Sequence, residues 1–181
     1  MLLFWRHGYE ATSLNELTAA MGITPPSIYT AFGDKKRLFL EAINRYVSGP
    51  TTSESIIESA ETAEQAVRTL LQTAATGFTG KHTPRGCLLA SSAISCSPAA
   101  TDVQRELARI RRKIERRLKD KIARGVRTGE LNADADAASL AAFTMAVIQG
   151  MSTLARDGAT RERLMKISET AMQSFCSAKK K

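Results

Sequence analysis

The sequence predicts an all-α protein, on three observations. Its long segments are rich in Ala, Leu, Glu, Lys and Arg, with apolar residues every three or four positions, the period of a helix that buries one face. No stretch shows the sustained apolar/polar alternation and β-branched enrichment of a strand. The breaks between segments are helix punctuation: Gly8, Gly22, Gly33, Gly129 and Gly158 follow periodic runs, and Ser13, Thr24 and Asp34 precede them. The composition agrees. Of 181 residues, 43% are hydrophobic and 24% charged, a mix that buries a core and excludes a disordered chain.

Taken in order, residues 1–7 form a short helix closed by Gly8. Ser13 caps a second helix, residues 14–21, and Glu16 completes an S-x-x-E capping box. Gly22 ends it. Thr24 caps a third helix that opens on Pro25 and Pro26, where a missing N–H costs nothing, and runs to about Ala31. Asp34 caps a fourth, carrying Leu38, Phe39, Ala42, Ile43 and Tyr46. Residues 48–53 and 79–84 read as exposed connectors. Between them the segment 61–79 carries Val67, Leu70, Leu71, Ala74 and Phe78 on one face. The segment 84–97 is short, apolar and serine-rich. Helix 100–128 has a stripe of Val103, Leu107, Ile110, Ile114, Leu118, Ile122 and Val126 among Arg and Lys, with Gly125 and Gly129 marking its end. Helices 134–157 and 160–176 close the chain, the first opening near Asp134 and crowded with small residues. Their broad apolar faces suit core packing and also pairing with a second copy.

Two short helices joined by a tight glycine turn make a helix-turn-helix. Leu17, Met21, Ile23 and Ile28 are expected to share its core. Thr24, Pro25, Ser27, Tyr29, Thr30 and Lys35 are left facing outward, a set of hydroxyls, one phenol and one ammonium suited to phosphates and groove edges.

These residues resemble a known family. Gly8-Tyr9-Glu10-Ala11-Thr12-Ser13-Leu14, Gly22-Ile23-Thr24 and Ile28-Tyr29-Thr30-Ala31-Phe32-Gly33-Asp34-Lys35 look like the DNA-binding domain of TetR-family transcriptional regulators. Arg85-Gly86-Cys87-Leu88-Leu89, the long basic helix and Gly129-Glu130-Leu131 resemble one common C-terminal variety of that family. The resemblance implies a DNA-binding domain in residues 1–47 and an effector-binding and dimerisation domain in 48–181. It implies phosphate contacts from Thr12 and Ser13. It makes Thr24, Pro25, Pro26, Ser27, Tyr29 and Thr30 the recognition helix and Lys35, with no competing use nearby, a phosphate ligand. It also implies a homodimer through helices 134–157 and 160–176. A small apolar or aromatic effector is expected among Phe78, Leu88, Ser92, Phe143, Val147 and Met151. The sequence departs from the family pattern in four places. The chain starts partway along the family's first helix, so either its start is misassigned or that helix is truncated. Thr18 replaces a usual Ala, Thr30-Ala31 replaces a larger aromatic and His, and Arg37 stands where a capping-box Glu would serve the fourth helix.

Other chemistry finds little to rest on. There is no P-loop, no G-x-S-x-G elbow and no G-x-G-x-x-G, so no enzyme is expected. His7 and His82 lie outside any ligand spacing, and neither a metal nor a cofactor is expected. Three cysteines do not make a disulfide framework and fit a reducing cytoplasm, with Cys96 the best thiol-switch candidate. The apolar start lacks the basic region of a signal peptide, and no apolar run is long enough for a membrane span. The net charge of +8 points toward nucleic acid. Its distribution is uneven: residues 1–50 carry net +1, whereas residues 99–131 hold eleven basic and five acidic groups, net +6. The expected function is a ligand-responsive repressor on double-stranded operator DNA. The rival is a basic helical adaptor that binds RNA or an anionic membrane through helix 100–128.

Overall fold

The computed structural model describes residues 1–49, 51–92 and 97–176. Ile94, the switch candidate Cys96 and the basic tail Lys179–Lys181 lie outside them, as does the side chain of Cys176. Among the described residues the chain forms ten α-helices and one 3-10 turn, with no strand. They are α1 (Leu2–Ala11), α2 (Leu14–Met21), α3 (Pro25–Phe32), α4 (Lys35–Val47), α5 (Ser53–Ser59), α6 (Ala63–Gly77), α7 (Leu88–Ser91), α8 (Thr101–Arg127), α9 (Ala137–Arg156) and α10 (Arg161–Cys176). Contacts divide the chain into two compact units: Met1–Pro50 with Cys87–Arg109, and Thr51–Gly86 with Ile110–Lys181.

The first unit is built on an aromatic core. Phe4 meets Phe39 edge-on at 5.0 Å, Trp5 meets Tyr46 at 5.0 Å, and Leu17, Ile28 and Ile43 close the space beside them. Gly8 kinks α1, so that Tyr9 N donates to the Ser92 carbonyl at 3.0 Å. Ser97 ties the same region down, its N and Oγ donating to Glu10 Oε1 at 3.0 and 2.7 Å. The Tyr46 hydroxyl donates to Cys87 Sγ at 3.4 Å, and burial pushes the phenol's pKa up.

In the second unit α5, α9 and α10 pack on α6, and α9 also packs on α10. Leu71, Leu118, Ile122, Leu131, Met151, Leu164 and Phe175 are among its buried large apolar residues. Helix α5 was unmarked in the sequence reading, although Thr52 and Ser55 form a reciprocal cap at its start. The amide groups opening α6 are held by a distant carboxylate: Glu130 Oε2 accepts from Ala63 N and Oε1 from Glu64 N, both at 3.0 Å. Gly125 does not end α8. It lies inside the helix, against the Glu130 carboxylate and Ala63 Cβ, and the helix runs on to Arg127. The cap of α9 is Asp136 rather than Asp134, accepting from Ala138 N at 2.9 Å and Ser139 N at 3.1 Å.

Helix α9 is long and apolar enough to cross a membrane by length and composition alone, with mean hydropathy 1.4 over its most apolar 18 residues. Its isolated polar residues, Ser139, Thr144 and Gln149, break any continuous apolar run without lowering the mean enough. Only 28% of that window is buried, so much of an apolar helix stands uncovered.

Candidate nucleic-acid interface

The helix-turn-helix forms where local chemistry places it. Ser13 Oγ accepts from Glu16 N at 3.1 Å, and Ser13 N donates to Glu16 Oε2 at 2.7 Å, the reciprocal box expected at the start of α2. The Ser13 amide, and then the Ser13 hydroxyl donating to the same Oε2 at 2.8 Å, hold the Glu16 carboxyl below its ordinary range. Gly22, at φ +66° and ψ +30°, turns the chain in the left-handed conformation that a side chain disfavours. Pro25 and Pro26 occupy the first turn of α3.

The packing differs from expectation at two positions. Leu17 and Ile28 are buried, but Met21 is 40% and Ile23 37% exposed. The left-handed turn at Gly22 carries its neighbours out of the small interhelical core that the apolar pattern assigned them. Thr18 fits the close approach of α2 and α3 by returning its hydroxyl to the Asn15 carbonyl at 3.0 Å.

The outward face of α3 is as expected. Thr24, Pro25, Pro26, Ser27, Tyr29 and Thr30 are all exposed, Tyr29 by 52%. Thr24 makes no side-chain cap; its hydroxyl shares a 3.0 Å hydrogen bond with Ser27 Oγ, and Thr30 donates back to the Pro26 carbonyl at 3.0 Å. Ser13 is exposed at the start of α2. Thr12 is different: it is fully buried, donating to the Gly8 carbonyl at 2.7 Å, so its hydroxyl is withdrawn from any phosphate in this conformation. Lys35 is also already engaged, contrary to the expectation of no competing use. Its ammonium donates to the Glu10 carbonyl at 3.2 Å and lies 4.8 Å above the centre of the Tyr9 ring, and desolvation lowers its pKa. Met21 and Ile23 are the residues the sequence reading missed at this surface: two apolar side chains beside a face of hydroxyls, the type that meets thymine methyls. The glycine turn was the signal that could have moved them outward.

The six effector candidates are distributed over both units. Phe78 and Met151 are buried in the second unit. Leu88 and Ser92 are buried in the first, Ser92 returning its hydroxyl to the Leu88 carbonyl. Phe143 (42% exposed) and Val147 line an open groove of the second unit with Arg163, Lys166, Ile167, Thr170, Ala171 and Ser174.

Comparison with known proteins divides the chain in sequence order rather than by these contact units. Residues 1–42 match the family described as bacterial regulatory proteins, tetR family, and residues 63–175 match the tetracyclin repressor-like, C-terminal domain. The chain is 34% identical over 175 residues to the HTH-type transcriptional repressor ComR of Escherichia coli K12, spanning 96% of this chain and 83% of that protein. It is 29% identical over 164 residues to the HTH-type transcriptional repressor BdcR of the same organism, spanning 90% and 78%. Among solved structures, the TetR family regulator CifR, a cysteine mutant complexed with 26-base-pair operator DNA, superposes with a TM-score of 0.90 at 36% identity, covering 96% of this chain and 91% of that one. With both family models matched in order and a repressor 34% identical over 96% of the chain's length, this chain belongs to the TetR family of bacterial regulatory proteins.

Proposed function

We propose that the protein is a homodimeric repressor that reads a palindromic operator through two helix-turn-helix heads and is released by a small apolar or aromatic effector. The observation that carries this reading is the exposed face of α3, where Ser27, Tyr29 and Thr30 stand clear of the first unit's core. Residues 1–47 are the reading head, and Thr24, Pro25, Pro26, Ser27, Tyr29 and Thr30 enter the major groove while Ser13 meets phosphate. Lys35 joins them by exchanging its carbonyl partner for a phosphate. Residues 48–181 bind the effector and the partner copy.

The uncovered side of α9 supports the dimer. Ala142, Phe143, Ala146 and Gly150 are exposed at helical spacing, and Phe143 and Val147 open onto the α10 groove. Small residues there let two helices approach closely, so α9 and α10 of two copies make a four-helix contact. Two heads spaced about 34–36 Å apart meet successive major grooves. An effector that favours a different head spacing lowers operator affinity by the same factor by which DNA lowers its own. The setting is the cytoplasm. A gel shift with DNA from upstream of the protein's own gene tests the reading. A salt-sensitive, sequence-specific shift is expected, and its absence overturns it.

A further inference from the structure

The largest charge feature of the molecule lies outside the reading head. Residues 110–127 contain nine basic side chains and two acidic ones, Glu115 and Asp120. Part of this charge has a structural use. Lys113 pairs with Glu54 at 2.8 Å, and Arg117 with Glu54 at 3.1 Å and with Glu58, on α5. Another face makes no ion pair of this kind, although Lys119 lies near enough to Asp136 to help lower its carboxyl pKa. At 100° per residue, Arg112, Arg116, Lys119 and Arg127 fall within an arc of about 80°, along about 22 Å of helix. All four are exposed, and none has an ion pair among the described residues. Glu115 and Asp120 flank the arc on either side and form no ion pair either. Arg112–Arg116 and Arg116–Lys119 are like-charge neighbours that weaken a free helix and are relieved when an anion neutralises them.

The surroundings narrow the choice of anion. Among the described residues, no large apolar side chain is exposed on α8, so the face has no wedge for a lipid interface. The helix carries no aromatic residue on which single-stranded bases would stack. What remains is charge meeting charge along one face of a helix. Over the same 22 Å a DNA duplex presents roughly a dozen phosphates.

We propose that the face of α8 formed by Arg112, Arg116, Lys119 and Arg127 is a sequence-independent contact for the phosphates of duplex DNA, distinct from the reading face of α3. It rests on the repressor reading only for the choice of DNA as the duplex. The test is binding of the full chain to a random-sequence duplex and to the operator duplex, titrated with salt. The variant Arg112→Gln, Arg116→Gln, Lys119→Gln, Arg127→Gln is expected to lose about three units of the slope of log binding constant against log salt on the random duplex, and at least about tenfold in low-salt affinity. The charge-keeping variant Arg112→Lys, Arg116→Lys, Arg127→Lys keeps the slope, and both keep the melting temperature. Tyr29→Ala loses operator preference but keeps the random-duplex slope. An unchanged slope in the Gln variant overturns the proposal and leaves a solvated face. A loss confined to single-stranded RNA or to phosphatidylserine vesicles overturns it in favour of those partners. If the wild type shows no operator preference while the Gln variant still loses slope, the repressor reading fails and this contact stands.

Discussion

Arg85 Nε donates to the carbonyl of Ala155 at 2.8 Å, and its guanidinium also reaches the carbonyl of Ala159. Ala155 lies in the last turn of α9, at the negative end of its dipole, where its carbonyl also accepts from Gly158 N, and Ala159 lies just beyond the helix, so one planar cation ties the helix end to the turn that follows it. The next residue, Gly86, lies against the same helix end at φ +82°, where an added Cβ would sit 2.8 Å from Arg156 Cγ and 2.9 Å from the Ser152 carbonyl oxygen. Gly86→Ala is therefore expected to cost about 2 kcal/mol or more, and Arg85→Ala about 1–2 kcal/mol. Arg85→Lys recovers only part, because an ammonium lacks the fork that spans two carbonyls. Urea unfolding midpoints check all three.

Glu130 and the start of α6 are 66 residues or more apart in sequence, yet one carboxylate takes both free amides. Glu130→Gln keeps one acceptor and loses the charge at the positive end of the helix. It is expected to cost about 1 kcal/mol, and Glu130→Ala about 2 kcal/mol. Amide hydrogen exchange in the first turn of α6 should rise in the same order.

Asp136 gives a pH signature. The hydrogen bond from Ser139 Oγ, then those from the Ser139 and Ala138 amides, hold its carboxyl below the ordinary aspartate value of 3.8. A depressed acid stabilises the folded state fully above its unfolded value, and the contribution is lost as pH falls through the lowered folded value. Melting temperatures from pH 7 down to about pH 3 should fall less steeply in Asp136→Asn than in the wild type.

Tyr29 is exposed, so replacing it leaves the fold intact. Tyr29→Ala is expected to weaken operator binding at least about tenfold, equivalent to about 1.4 kcal/mol, with an unchanged melting temperature. Fluorescence anisotropy on operator and random duplexes reads the difference.

Phe143 tests the uncovered face of α9. Phe143→Glu places a charge where two copies would meet and is expected to convert a dimer to a monomer by light scattering, with helical content retained. A wild-type chain that is monomeric at tens of micromolar would sink the dimer reading.

How far the sequence alone reaches depends on the distance over which each feature is decided. The Ser13–Glu16 box, the left-handed Gly22 and the prolines opening α3 all appear where the sequence placed them, because each is settled within a few residues by backbone hydrogen bonding and sterics. The exposure of Ser27, Tyr29 and Thr30 followed from the same local period. Thr24 is the local exception, since its hydroxyl chose Ser27 over the helix amide.

What the sequence by itself determined is therefore the all-α class, the order of the helices other than α5, and the face of α3 that looks outward. Tertiary structure alone decided the rest. It buried Thr12 and occupied Lys35 with Glu10 and Tyr9. It also joined Glu130 to α6 and Arg85 to the end of α9. A helical period records which side of a helix is apolar, but not which distant helix covers it. Nor does it record which remote carboxylate or cation reaches an open helix end, because those choices are made by chain segments that meet only when the core closes.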